Sequence, residues 1–167
     1  TLNGFPCMGS WLSYGLGTEN NNLPSFVTLP DPRGLPAGGS INWAAGFLPA
    51  AHQGVAFNTS GSELVRDLRT PAGVSAAKRT AGLSLLEDMN RKFLEENPGN
   101  SELAARLRSY ELAGAMQLSI PEAQDFSKES AEIKKLYGLE NKASGGIGRN
   151  CLIARRLLER GVRFVQI

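Results

Sequence analysis

The chain has 167 residues, 18 of them basic and 16 acidic, for a formal net charge of +2. The length suits one ordinary domain able to bury roughly 70% of its unfolded surface, and the interspersed charges give neither a nucleic-acid footprint nor an acidic tail. No run approaches the ~20 apolar residues of a membrane span, and Thr1 to Gly9 lacks the basic start and apolar middle of a signal peptide.

Taken in order, the first predicted element is a short helix entered at Pro6 and left at Gly15 or Gly17, with Met8, Trp11 and Leu12 at helical spacing and directed inward. Pro24 to Leu29 reads as a strand carrying Phe26, Val27 and Leu29, with Pro24 tolerable only at its first position. From Pro30 to Thr70 turn residues dominate and periodicity is lost. A stretch of that length without regular elements is uncommon in a compact domain and is often functional. Trp43, Phe47, Leu48 and Pro49 are too apolar for a solvated linker, so this stretch is expected to lie pinned on the body as a covering loop.

The middle is helical. Val74 to Glu96 places Leu85, Leu86, Met89 and Phe93 on one stripe, and Asn97-Pro98-Gly99 breaks it. A second helix starts at Ser101, capped by Asn100 or Ser101, with Leu103, Leu107, Tyr110 and Leu118 as its buried side. Two antiparallel helices are the simplest arrangement. Pro121 opens a short further turn, and Ser127 to Tyr137 forms another helix with Ile133, Leu136 and Tyr137 inward, closed by Gly138. Ala143 to Gly148 is a flexible lead-in. The last helix follows, with Cys151, Ala154, Leu157 and Leu158 facing a sheet and Arg155, Arg156, Glu159 and Arg160 facing outward. Gly161 ends it in a left-handed conformation. Val162, Phe164, Val165 and Ile167 then make a nearly continuous apolar strand, the pattern of one covered on both faces in a largely parallel sheet. The fold class is α/β with a helix-rich middle.

In open α/β sheets ligands sit beyond the carboxyl ends of the strands, and the chain stops there. Together with a start at Thr1 rather than methionine, this leads us to read residues 1–167 as a single partial domain, with N-terminal and C-terminal parts of the fold outside it.

Four sites could carry chemistry. Gly145-Gly-Ile-Gly148 before a helix resembles a phosphate cradle, but the third glycine of a dinucleotide fingerprint would fall at Cys151 and no strand precedes it, so it reads as a plain loop. His52 is the single histidine, beside Gln53 in an apolar loop; a hydrogen-bonded structural group and a pocket group are both open readings. Cys7 and Ser10 lie at a helix start, where the dipole favours an anion, but no base is near in sequence. Cys7 and Cys151 lack metal-ligand spacing and are expected as free thiols, and Asn58-Thr-Ser60 matches a glycosylation sequon by pattern. Pocket candidates are Ser10, His52 and Gln53. Histidines of this chain cannot complete a metal site, and carboxylates such as Glu19, Asp31 and Asp125 show no ligand spacing.

Three stretches read together carry a family resemblance: Pro6-Cys-Met-Gly-Ser-Trp-Leu-Ser-Tyr-Gly-Leu-Gly-Thr-Glu-Asn20 with Leu23-Pro-Ser-Phe-Val27; Gly46-Phe-Leu-Pro-Ala-Ala-His-Gln-Gly54; and Cys151 to Gln166, with Ser109 to Ala113 and Met116-Gln117 between them. Jointly these residues resemble the bacterial family catalogued as domain of unknown function 1501, assigned to the alkaline-phosphatase-like superfamily that also contains sulfatases. The resemblance implies an alkaline-phosphatase-like α/β/α sandwich, here incomplete, from an exported periplasmic or cell-surface protein. It further implies a metal-dependent hydrolase of a small-molecule ester, with a divalent metal whose ligands lie outside this chain, so that the segment alone is inactive. The family commonly has serine where Cys7 stands, which weakens a thiol nucleophile. The alternative is a non-catalytic exported binding or surface protein on the same fold.

Overall fold

Phe26, Val27 and Thr28 form β1 (Phe26–Thr28), and all three are buried. In a computed structural model describing residues 3–61, 63–65 and 73–167, β1 is the middle of a three-stranded parallel sheet with order β2-β1-β3. The partners are β2 (Val55–Ala56) and β3 (Phe164–Gln166), with Val27 opposite both Val55 and Val165. β3 was expected to be covered on both faces. It is instead an edge strand: Phe164 and Val165 are half-buried and Ile167 is 51% exposed, while the fully covered strand is β1.

Alternation along β1 sends Phe26 and Thr28 to one face and Val27, followed by Leu29, to the other. On the first face lies α1 (Met8–Leu16), whose buried side is Gly9, Ser10 and Ser13. The expected inward residues Met8 and Trp11 are exposed, and Leu12 is half-buried. The reason is steric. The sheet presents the rings of Phe26 and Phe164, and a Cβ on Gly9 would lie 2.6 Å from each, so only the helix face made of small residues can approach.

On the second face Val27 and Leu29 pack with Ile153 and Leu157 of α5 (Gly145–Leu158) and with Met116 and Ile120 of α3 (Ser101–Gln124). Each such buried side chain contributes about 2 kcal/mol of hydrophobic stabilisation. Helices therefore flank the sheet on both sides. α5 begins at Gly145, so the expected lead-in is already helix; a Cβ on Gly148 would collide with the Tyr137 carbonyl oxygen, and one on Gly145 would lie 2.8 Å from that of Leu139. These glycines let the helix start press on the preceding chain. The other end follows expectation: Gly161 has φ +89°, its N–H donates to the Leu158 carbonyl, and the Val162 N–H donates to that of Leu157. This pair of bonds is the Schellman stop. Leu158, expected inward, is 50% exposed, whereas Cys151 is half-buried and both cysteines are free.

The stretch after β1 is more ordered than its sequence suggests, holding two 3₁₀ turns, Gly39–Trp43 and Ala50–His52, and then β2. Its residues 62 and 66–70 lie outside the described residues. α2 (Ala76–Glu96), capped by Ser75, carries its stripe of Leu85, Leu86, Met89 and Phe93 in the open, each at least half exposed, and it touches α3 sparsely. The packed helix pair expected from sequence is therefore not formed along that stripe. α3 runs through Pro121 instead of restarting there; Leu107 is buried, Leu103 half-buried and Tyr110 exposed, and the Leu118 side chain lies outside the described residues. α4 (Ala131–Leu136) is shorter than expected because Ser130 caps it by accepting from the Ile133 N–H, and Leu136 points to solvent. Among the described residues no helix is long and apolar enough to cross a membrane.

Glu129 ties the segment between α3 and α4 to α5. Its Oε1 accepts from Arg155 at 2.7 Å and from Arg156 at 2.5 Å, while Arg156 also donates to the Glu122 carbonyl and lies over the Phe126 ring. The Arg155 hydrogen bond, then that of Arg156, holds the Glu129 carboxyl below its ordinary range. A depressed folded-state pKa means stability present above the unfolded value and lost as pH falls through the folded one. Glu129→Gln should lower the melting temperature at neutral pH and reduce the loss of stability on acidification, as read by thermal melts across an acid series. Gly9→Ala should cost about 1–3 kcal/mol through overpacking, read by urea denaturation; an unchanged midpoint would contradict the close approach of α1.

Candidate functional site

Of the clefts formed by the described residues, two open at opposite ends of the central strand. The larger, about 910 Å³, lies at the amino ends of β1 and β2, between the end of α1, the turn that follows it, the Ala50–His52 turn and α3. The smaller, about 470 Å³, lies at the carboxyl ends, where the chain leaves β1 through Pro30 to Arg33 and leaves β2 through Phe57 to Ser60.

The larger cleft contains His52 and Gln53. His52 sits at the end of its 3₁₀ turn, where the Ala50-Ala51 pair allows a tight backbone, and its Nδ1 shares a 3.0 Å hydrogen bond with Ser13 Oγ. Ser13 Oγ shares another, at 2.7 Å, with Ser25 Oγ. The hydroxyls thus fix the imidazole from one side, and the Tyr14 ring meets it edge-on at 5.3 Å. Nε2 has no hydrogen-bond partner among the described residues. Because the bond at one ring nitrogen sets the role of the other, this arrangement leaves Nε2 as the group able to donate or accept. The opposite wall, α3, carries Glu102, Arg106, Arg108 and Glu111, all exposed and without an ion pair among the described residues.

Ser10 is elsewhere. It is fully buried, donates to the Ala44 carbonyl at 3.1 Å and lies 3.2 Å from Cys7 Sγ. Since the Cys7 N–H donates to the same carbonyl, Ser10 pins the start of α1 and does not line either cleft. Ser13 and Ser25 were missed in sequence. Ser13 lies one helical turn beyond Ser10 on the same buried face, a spacing legible once the small-residue face is recognised as the inner one.

At the carboxyl edge the polar side chains among the described residues pair with each other only at Asp31 and Arg33 and otherwise donate to backbone carbonyls. Arg33 donates to both oxygens of Asp31, with its shortest contact at 2.6 Å, and holds that carboxyl at a pKa of about 2. Thr59 Oγ1 donates to the Pro30 carbonyl at 2.5 Å, and the buried Asn150 donates to the same oxygen at 3.2 Å. Asn58, the sequon residue, donates to the Glu63 carbonyl. Asp31 is the one carboxylate lining this cleft among the described residues, and with both oxygens held by Arg33 it does not by itself fit a divalent metal. No group of three or more His, Cys, Asp or Glu gathers among the described residues.

Ser13→Ala should remove the hydroxyl link, costing about 1–2 kcal/mol for the unpaired partners, and should change the imidazole tautomer ratio read from ring-nitrogen chemical shifts. Unaltered shifts would mean that Ser13 does not set the orientation of His52.

Comparison with known proteins gives one assignment. No curated protein and no solved structure matches the chain significantly. The family model described as "Protein of unknown function (DUF1501)" matches residues 1–167, the whole chain, and so the protein belongs to the DUF1501 family.

Proposed function

We propose that the chain is part of an exported, metal-dependent ester hydrolase of the alkaline-phosphatase-like, sulfatase-related type. What supports this reading is the parallel sheet flanked by α1 on one face and α3 with α5 on the other, its carboxyl edge opening on the polar crevice around Asp31, Arg33 and Thr59. In such sheets that edge is where reacting groups are displayed. The divalent metal would be held by residues other than those described, because Arg33 already occupies Asp31. Within the proposal, residues 1–167 supply the wall of the reaction site and the covering segment that carries His52 and Gln53.

A non-catalytic binding or surface protein on the same fold is the second reading. It is favoured by the exposed apolar stripe of α2 and the exposed rings of α1.

The deciding experiment uses the protein translated from its intact reading frame, stripped with a chelator and reloaded with zinc, manganese or calcium. Hydrolysis of p-nitrophenyl phosphate or p-nitrophenyl sulfate should vanish on stripping and return with one of the metals. A folded protein that binds no metal and turns over neither ester overturns the hydrolase reading in favour of the second.

A further inference from the structure

The amino-edge cleft is not where an α/β hydrolase displays its reacting groups, yet it is the larger of the two and holds a fixed imidazole. Its walls carry both signs of charge in equal number, with Arg106 and Arg108 against Glu102 and Glu111. Such walls carry no net formal charge that would favour an ion of one sign. They offer planar forks and amides, Arg106, Glu102, Gln53 and Asn21, that can each donate to or accept from adjacent hydroxyl groups.

A second observation adjoins it. From His52 a row of aromatic rings runs outward over α1 and the neighbouring loop: Tyr14 at 5.3 Å, then Trp11, Phe47 and Phe5 at successive centroid steps of 6.3, 5.7 and 6.1 Å. Every contact is edge-to-face, and each of these four rings is 48–64% exposed. Exposed rings on this scale mark an interaction surface. α1 has no charged residue, so the row is as free of net charge as the cleft it meets.

We propose that the cleft and the aromatic row together bind a short, uncharged oligosaccharide. A pyranose has a C–H face suited to an open aromatic ring and a rim of hydroxyls suited to paired planar donors and acceptors. Here the two kinds of surface meet at His52, whose Nε2 adds one more polar contact at the junction. The cleft volume, about 910 Å³, lies within the ~300–1,000 Å³ range of small-molecule sites, and the aromatic row extends it for further sugar units. This inference does not depend on the hydrolase reading, since it places the ligand at the opposite end of the sheet.

The test is calorimetric titration of the protein from its intact reading frame with cellohexaose, xylohexaose and mannohexaose, with a sulfated heparin hexasaccharide as the charged comparison. At least one neutral hexasaccharide should bind, equally well in chelator, and Trp11→Ala and Gln53→Ala should each weaken it about tenfold while Lys92→Ala does not. If Trp11→Ala loses its cooperative melt, Phe47→Ala takes its place. The proposal is overturned by an absence of neutral-glycan binding at millimolar concentration, by binding of the sulfated ligand alone, or by folded variants that retain wild-type affinity. Because chelation abolishes the proposed hydrolysis and leaves glycan binding intact, failure of either reading is separable from failure of the other.

Discussion

The ring of Phe26 is the contact on which the arrangement depends. It stands in the central strand with Phe164 of β3 edge-on at 5.3 Å, and glycines meet it from two directions: a Cβ on Gly9 would lie 2.6 Å away and one on Gly54 2.8 Å away. One side chain therefore holds α1, the segment leading into β2 and the edge strand together. The interior tolerates little change in volume, so a large ring on the strand requires missing side chains around it. That requirement selects which face of α1 turns inward.

The same selection produces the surface. With Gly9, Ser10 and Ser13 against the sheet, the opposite positions Met8, Trp11 and Tyr14 must face outward, and the aromatic row is the consequence of the small-residue face being buried. Ser13 then comes within reach of His52 and Ser25, whereas Ser10, one turn earlier, meets the Ala44 carbonyl. Two serines on one helical face thus have different roles, one orienting a cleft group and one securing the helix start.

The two ends of the sheet differ in how their polar groups are used. At the carboxyl edge Asp31 is held by Arg33, and Thr59, Asn58 and Asn150 donate to backbone carbonyls, bonds that shape the exit of each strand and leave the buried Thr28 Oγ1 and Asn150 Oδ1 without partners among the described residues. At the amino edge His52 Nε2 and the α3 charges have no such partners among the described residues. Chain exits from parallel strands leave backbone groups that must be satisfied, which accounts for the density of bonds at the first edge.

By itself the sequence determined the elements with strong local signals. The final helix with its Gly161 stop, β1 around Phe26 to Thr28, the α3 cap at Asn100 and the break at Asn97 to Gly99 follow from caps, backbone restrictions and apolar spacing, all properties of a few adjacent residues. His52 and Gln53 also stood out, as a lone imidazole beside an amide in an apolar loop, and they line the amino-edge cleft, whereas Ser10, singled out with them, is buried away from it. Tertiary structure alone decided that the two residues of β2 would pair with β1, that β3 would be an edge, and that Trp11 would point outward while Ser13 reached His52. Those outcomes turn on which surfaces meet across long sequence separations: a helix with apolar and small faces can pack by either until the bulk of the opposing rings excludes one of them.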